Sequence, residues 1–339
     1  MSTKKIKAVI LGNELKEDII LWEKACKEFT NQISYRVVDL TKNNWLSAIQ
    51  SAPFDILLAK PSGLTSSFKQ LYDEKIYILY NVLKFKIFPA PLEIFLYENK
   101  RLLSFWLKAN NIPHPRTHTF YHEAELEEYI KTTQFPLVAK TNIGASGSGV
   151  IILKNKADAT HYAKETFAGT GAKKRSGPNL EKGGLFKRGL HYVFNPADIF
   201  KKLAVYNARK ADIQSRFVIF QEFIPHDFEW RAVRIGDSFF AHKKIKVGEM
   251  ASGALVKGYD NPPLTLLDYV KRITDMFNFR SVAVDIFESE SGKYYVNEIQ
   301  CIFGQSDPFQ MLVNEKPGRY ISKAGNWIFE EGDFNQNQS

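Results

Sequence analysis

Residues 281–300 read SVAVDIFESESGKYYVNEIQ, and two acids in this stretch, Asp285 and Glu298, stand among residues that belong in a core. The runs on either side of Ser289–Gly292 are rich in β-branched and aromatic residues, which predicts an antiparallel hairpin. Side chains alternate along a strand, so Glu298 and Gln300 share a face. A turn centred between Glu290 and Ser291 places Asp285 opposite Val296 and diagonally beside Glu298, within reach of a shared cation. Two carboxylates that close repel one another without one. Hard oxygen donors suit magnesium, which keeps several waters and is usually completed by substrate phosphates. The hairpin therefore predicts a magnesium site with a nucleotide beside it.

The rest of the chain has room for such a ligand. Its 339 residues can form two or three packed units, and 44% apolar with 24% charged residues is ordinary for a globular protein. The net charge of +9 is spread among acids along most of the sequence. A polyanion such as ATP accounts for it, and a nucleic-acid surface is the weaker alternative. Cys26 and Cys301 are too few and too far apart for a disulfide framework or a zinc site, which points to a reducing compartment and a cytoplasmic location. The apolar stretch after the N-terminal lysines is too short for a signal peptide, and IYILYNVLKFKIF is broken by Asn81, Lys84 and Lys86. No membrane span is expected.

Upstream of the hairpin, residues 6–12, 34–40 and 54–60 are strand-like, and the segments between them have helical spacing, as in Ile19, Leu21, Trp22, Ala25 and Cys26. Strand and helix in alternation imply a parallel α/β unit over residues 1–97. Gly12 stands alone where a dinucleotide fingerprint needs three glycines, so NAD is not expected. An amphipathic helix over 98–110 ends at Pro113 and Pro115 and opens a second, α+β unit over 98–224. Its strands are RTHTFYH, PLVAKT, GVIILKN and FVIFQEFI, with helices near 122–131 and 156–165. A third unit over 225–331 begins with WRAVRIG, and Leu266, Val270, Ile273 and Phe277 mark a helix packed on the hairpin. The polar tail 332–339 is expected to be mobile. Residues 168–190 are glycine-rich and basic, with only Glu181 against Lys173, Lys174, Arg175, Lys182, Lys187 and Arg188. Such a long loop is a lid or an insertion.

Between two strands of the second unit lies Gly144-Ala145-Ser146-Gly147-Ser148-Gly149, whose glycines let backbone N–H groups approach a phosphate. It is no P-loop, because no Gly-Lys-Ser/Thr follows and it joins two strands. Lys140 before it and Lys100 at the start of the preceding helix offer two cations for a triphosphate. Gln221, Glu222, Phe223 and Ile224 can hold an adenine edge, and Glu229 can take ribose hydroxyls. The plain readings are a hairpin turn for the glycines and exposed acids for Asp285 and Glu298. Flanking Val284, Ile286, Ile299 and Ile302 argue against the second.

Taken in order, Lys100, Lys140, GASGSG, QEFI, Glu229-Trp230-Arg231, Asp285 and Glu298-Ile299-Gln300 resemble the ATP-grasp superfamily over about residues 81–300. Within it they are similar to the group that contains ribosomal-protein-modifying ligases, glutathione synthetase and D-alanine-D-alanine ligase. The resemblance implies an N-terminal parallel α/β pre-ATP-grasp domain followed by the two-lobed ATP-grasp fold. It implies an ATP-dependent ligase joining a carboxylate to an amine through an acyl phosphate, with release of ADP and phosphate. The roles it carries over are Lys100 and Lys140 on phosphates and adenine, the residues Gly144, Ser146, Gly147, Ser148 and Gly149 over the γ-phosphate, Gln221, Glu222, Phe223 and Ile224 on adenine, and Glu229 on ribose. Asp285, Glu298 and Gln300 would hold two Mg²⁺ ions, with Mn²⁺ as a substitute, and Arg231 and Lys244 would be catalytic. Small-molecule, peptide or glycan carboxylates and amines would be the partners, with no nucleic acid, and homo-oligomerisation is left open. A kinase of a small-molecule hydroxyl, or a protein that binds ATP without turnover, is the alternative.

The pattern departs from the family in three places. Gln300 stands where Asn is usual, the run Lys243-Lys244-Ile245-Lys246 replaces a second phosphate-binding Arg, and 168–190 lengthens the stretch between the glycine turn and QEFI. Arg231 and Arg234 fall on opposite faces of one strand, so at most one reaches the site. His114, His118, His122 and His242 lack metal-ligand spacing, and Cys301 has no His beside it in sequence. All five read as structural.

Overall fold

The structure, a computed structural model, describes residues 4–144, 149–170, 196–246, 256–304 and 307–334. Ser146, Gly147 and Ser148 of the glycine turn, residues 171–190 of the basic stretch and residues 335–339 of the tail lie outside these.

Strands β1 (Ile6–Gly12), β2 (Ile33–Asp39), β3 (Ile56–Ala59) and β4 (Ile87–Phe88) form a parallel sheet in the order β2-β1-β3-β4. A parallel sheet needs crossovers, and the helices that supply them cover both faces. These are α1 (Ile20–Glu28), α2 (Trp45–Gln50) and α3 (Ser66–Tyr77), with α4 (Pro91–Leu96) following β4. Val9 and Leu11 of β1 meet Leu57, Ala59 and Tyr72 on one side, while Ala8 and Ile10 meet Cys26 and Leu58 on the other. The alternation of the apolar run Ala8–Leu11 thus fills two layers at once.

Glu93 closes the first turn of α4 by accepting from Ala90 N at 2.8 Å, yet its other oxygen is buried without a partner among the described residues. Burial pushes its carboxyl up to about 8. The folded state therefore binds this proton more firmly than the unfolded chain. Its stabilising effect is full below the ordinary value of 4.5 and is lost as pH rises towards 8. Glu93→Gln, which cannot ionise, is expected to remove a decline of a few kcal/mol between pH 5 and 8, read from urea midpoints. An unchanged slope in the variant would contradict the assignment.

The second unit contains α5 (Lys100–Ala109), β5 (Thr117–Phe120), α6 (Glu123–Thr132), β6 (Leu137–Lys140), β7 (Val150–Leu153), α7 (Lys156–Phe167), α8 (Pro196–Ala211) and β8 (Val218–Glu222). Its sheet runs β5-β8-β6-β7, every pair antiparallel, with α6 and α7 packed on it through Leu126, Ile130, Ala159 and Tyr162. Helix α5 lies at the head of 98–224 and touches the end of this sheet through Arg101, which lies over the rings of Tyr121 and Phe217. Its apolar side, Leu103 and Leu107, enters the core of the third unit.

That third unit is an eight-stranded sheet built from β9 (Phe228–Ile235), β10 (Ser238–Ile245), β11 (Lys257–Gly258), β12 (Ser281–Glu288), β13 (Tyr294–Gln300), β14 (Leu312–Val313), β15 (Lys316–Lys323) and β16 (Asn326–Glu331). Its main order is β13-β12-β9-β10-β15-β14, with β11 on β10 and β16 on β15. Helix α9 (Leu264–Met276) and α5 cover one face around Trp230, Val284, Ile286, Val296 and Ile299. The other face carries the charged residues. The hairpin of β15 and β16, turned at Ala324 (φ 49°) and Gly325 (φ 82°), extends the sheet beyond the hairpin on which the sequence reading of this unit closes.

The hairpin of β12 and β13 forms as expected, but its register differs. Asp285 stands opposite Glu298, not Val296. The slip has two causes. Ser289 N donates to Lys293 O at 2.9 Å, so the loop is the three residues Glu290–Gly292, with Gly292 at φ 73°, and the turn is centred on Ser291. Past Ile286, which pairs with Val296, a β-bulge then leaves Asn297 as an extra residue. The bulge also resets the alternation. Val296 and Ile299 both enter the α9 core, while Glu298 and Gln300 face the charged side with Asp285 directly across.

Candidate active site

Four strands present the charged face. In β9 the residues are Glu229 and Arg231, in β10 Lys244, in β12 Asp285, and in β13 Glu298 and Gln300. Cross-strand register aligns them, with Glu229 opposite Lys244, Arg231 opposite Asp285, and Asp285 opposite Glu298. Alternation sends their neighbours the other way. Arg234 donates to Thr274 Oγ1 at 2.7 Å and Asp275 Oδ1 at 2.6 Å on α9, and Lys243 lies over the rings of Phe228 and Trp230. Of this pair of adjacent lysines, Lys244 is the one that reaches Glu229 and Asp285.

Asp285 is 1% exposed and its carboxylate is fully engaged. Arg231 Nε donates to Oδ1 at 2.8 Å, Arg231 Nη2 to Oδ2 at 2.9 Å, and Lys244 Nζ to Oδ2 at 2.8 Å. Burial alone would push this carboxyl up, but the two cations outweigh it and hold it well below the usual carboxylate range. The cations respond in kind. Burial works against both charges, and the carboxylates around them raise Arg231 and Lys244 above their ordinary values. Lys244 Nζ also donates to Glu229 Oε2 at 2.8 Å, and Arg231 Nη2 leans on Gln300 Oε1 at 3.4 Å. Arg231 Nη1 makes no bond among the described residues and remains a donor for an incoming oxygen. His242, on the same face of β10, is pushed down to about 4 by burial, then by Arg231, and its Nδ1 pairs with Gln310 O.

Glu298 differs from Asp285. It forms no ion pair or hydrogen bond among the described residues and is half-buried. The group that crowds it is Glu98, which sequence reasoning passed over. Glu98 is 3% exposed, at φ 52°, and its carboxyl is raised by burial while Glu298 adds repulsion. A non-glycine residue in that backbone region is uncommon and marks a constrained site. Only the positive φ records this, and a sequence does not display it.

The second unit faces this sheet with its lysines. Lys140 Nζ, at the end of β6, donates to Asn297 Oδ1 at 3.0 Å, and Asn297 Nδ2 reaches Glu229 Oε1 at 3.4 Å. Burial first, then Lys100, pushes the Lys140 ammonium down to about 8. Lys100 Nζ donates to Gly144 O at 2.7 Å and lies 3.4 Å from Glu98. The bulge residue Asn297 therefore joins the two units, a role invisible without the register. A cleft at this junction is lined by Leu103, Leu107, Lys140, Ile219, Gln221 and Val296.

The glycine turn is rooted where expected, between the paired strands β6 and β7, with Thr141 N donating to Gly149 O at 2.9 Å. A Cβ on Gly149 would fall 1.9 Å from Thr141 Oγ1, so only glycine fits at that root. Of the residues read as an adenine edge, Gln221 is buried and donates to Thr117 Oγ1 at 2.9 Å. Glu222 points elsewhere, its carboxylate accepting from Arg116 N and Nε, each at 2.7 Å. Ile224 O is paired with His226 Nδ1 at 2.6 Å, and Phe223 lies under Lys246. Glu229 is committed to Lys244 and Asn297 through its two oxygens. Cys301 is buried, its thiol pushed well up by desolvation.

Among the described residues, no group of three or more His, Cys, Asp or Glu side chains gathers as a metal cluster. Asp285, Glu298 and Gln300 put two carboxylates and an amide oxygen on one face, a hard donor set of the kind magnesium takes; Glu298 is open, while the Asp285 oxygens and Gln300 Oε1 now accept from Arg231 and Lys244 and would have to exchange those donors for the metal. Among the described residues, no helix is long and apolar enough to cross a membrane.

No protein-family profile matches the sequence, and no curated protein matches it. Solved structures do match. An ATP-grasp RimK-domain protein from Sphaerobacter thermophilus superposes with a TM-score of 0.54 at 15% identity, covering 86% of this chain and 90% of its own. A purK N5-carboxyaminoimidazole ribonucleotide synthetase in complex with ADP gives 0.55 at 17% identity over 90% of this chain and 72% of its own. The D-alanyl-alanine synthetase A of Vibrio cholerae gives 0.52 at 12% identity over 88% and 89%. With a parallel sheet leading into two antiparallel units that face each other across a charged cleft, this chain has the ATP-grasp fold.

Proposed function

We propose that the chain is an ATP-dependent ligase that joins a carboxylate to an amine, with residues 1–97, 98–224 and 225–331 as its N-terminal, central and C-terminal units. The observation that carries this reading is the face-to-face placement of Asp285, Glu298 and Arg231 on one sheet against Lys140 and Lys100 from the other unit. Such an arrangement suits a triphosphate and little else of comparable charge. Neighbours of the same fold include two synthetases, one of them in complex with ADP.

In this reading Lys100 keeps its bond to Gly144 O and turns another of its three N–H donors to the phosphates of ATP, the phosphates take the place of Asn297 on Lys140, and the base enters the cleft beside Gln221 and Val296. Asp285, Glu298 and Gln300 would hold magnesium, which when bound offsets negative charge on the phosphates. The substrate carboxylate oxygen attacks the γ-phosphorus as the bond to the β-phosphate oxygen breaks, giving an acyl phosphate and ADP. The amine then attacks the acyl carbon, phosphate leaves with the C–O electron pair, and the amine proton passes to phosphate or solvent. Arg231 Nη1 would donate to oxygen bearing charge in either step, where one well-aimed donor contributes about 3 kcal/mol. Lys244 holds Asp285 and so keeps the Arg231 fork in place. No protein nucleophile is needed.

Lys140→Ala is expected to weaken MgATP binding about tenfold or more with a smaller effect on turnover, because its ammonium is already desolvated and has little to lose on meeting phosphate. Calorimetry against ATP measures this, and unchanged affinity would remove Lys140 from the site. A substrate panel that reads ADP and amide tests the reaction itself. Stoichiometric amide supports ligation, and phosphorylated alcohol without amide points to a kinase. Binding without turnover is the second reading, favoured by one feature, the closed ion pairing of both Asp285 oxygens.

A further inference from the structure

Between the end of β6 at Lys140 and Gly149, the residues Thr141, Asn142 and Ile143 are buried but belong to no strand. Buried backbone groups need partners, and these find them on three different elements. Asn142 O and Oδ1 accept from Lys100 N at 3.1 Å and Arg101 N at 2.8 Å, two donors that the first turn of α5 leaves open. Ile143 is held on both sides by one side chain. Gln214 Oε1 accepts from Ile143 N at 2.9 Å, and Gln214 Nε2 donates to Ile143 O at 2.8 Å, so the amide acts as a one-residue strand partner. Gly144 O, the next acceptor along, receives Lys100 Nζ at 2.7 Å.

Gln214 is itself anchored. Its Nε2 also reaches Asp212 Oδ2 at 3.2 Å, and Asp212 Oδ1 accepts from Ser66 N at 3.0 Å and from Ser66 Oγ. Ser66 is the first residue of α3 in the N-terminal unit, 146 positions away in sequence. A bonded chain therefore runs from Ser66 through Asp212, Gln214, Ile143 and Gly144 to the ammonium of Lys100.

We propose that Gln214 is a positioning residue for nucleotide binding, which fixes Ile143–Gly144 so that Lys100 is held ready for phosphate, and which ties that readiness to the N-terminal unit through Asp212 and Ser66. The inference rests on the assignment of Lys100 to the nucleotide. Gln214 does not touch the ligand. Its effect is preorganisation, and that predicts a dependence a purely structural side chain would lack. Removing Gln214 leaves Ile143 N unpaired and Ile143 O with only a long 3.4 Å bond from Thr141 Oγ1, and releases the neighbouring carbonyl that places Lys100.

The test is a double-mutant cycle on the full chain, with MgATP affinity read by calorimetry and the unfolding midpoint read separately. Gln214→Ala is expected to weaken MgATP about tenfold when Lys100 is present and less than about twofold in the Lys100→Ala background. Ser66→Ala, which keeps the backbone donor to Asp212, is expected to show the same dependence at about threefold, and it serves if Gln214→Ala does not fold. Equal losses in both backgrounds, or no loss in either, would overturn the proposal while leaving nucleotide binding intact. A wild-type chain that takes up no MgATP overturns the functional reading and this coupling together.

Discussion

Glu298→Ala is expected to abolish the magnesium-dependent part of ATP binding, a loss of about a hundredfold or more, while leaving the fold unharmed. The two halves of that expectation come from one fact. Glu298 projects from β13 without an ion pair or hydrogen bond among the described residues, with the like charge of Glu98 and the opposite charges of Lys140 and Arg231 in electrostatic reach. Taking it away breaks no hydrogen bond or ion pair, and the lost attraction to Lys140 and Arg231 is set against relief of the like charge at Glu98, so the unfolding midpoint of the unligated protein should move by only about 2 °C. Thermal protection by MgATP, by contrast, should disappear. Scanning fluorimetry with and without MgATP reads both. A variant still protected as the wild type is would remove Glu298 from the metal site.

Asp285→Ala is expected to behave in the opposite way. The acid directly across from Glu298 is, among the described residues, the one carboxylate shared by Arg231 and Lys244, and all three lie deep in the sheet. Without it, Arg231 loses its bidentate partner and Lys244 keeps only Glu229. Breaking a buried pair by removing one partner typically costs about 3–5 kcal/mol, because the remaining charges stay desolvated. The urea midpoint should fall accordingly, with Asp285→Asn intermediate since it retains an acceptor. A loss below about 1 kcal/mol would mean that the network opens to solvent and that Asp285 does not organise it. Two acids on one face thus differ before any metal binds, Glu298 being open to a ligand and Asp285 already holding the two cations.

How much of this was legible in the sequence depends on whether the information is local. The apolar runs of β1 and β3 and the β-branched composition of β12 and β13 carry their own periodicity, so the parallel unit and the hairpin could be read directly. The face shared by Glu298 and Gln300 followed from alternation alone. The register did not, because the bulge at Asn297 is paid for by the core. It lets both Val296 and Ile299 pack beneath α9, and nothing near Asn297 announces it. The placement of α5 on the third unit was hidden for a similar reason, since an amphipathic helix states that it has a partner but not which one. Glu98, Asn142 and Gln214 are isolated polar residues in loops, and their importance lies in backbone groups to which they are bound or in a dihedral angle. The hairpin of β15 and β16 did carry a signal in RYISKAGNWIFEE, where alternation flanks a glycine turn.

The most direct measurement of the central claim is a calorimetric titration of the full chain with ATP, once in magnesium and once in EDTA. Placement of Asp285 and Glu298 against Lys100 and Lys140 predicts saturable uptake of one ATP per chain that weakens sharply when magnesium is removed. Absence of binding under both conditions, or binding indifferent to the metal, would contradict it.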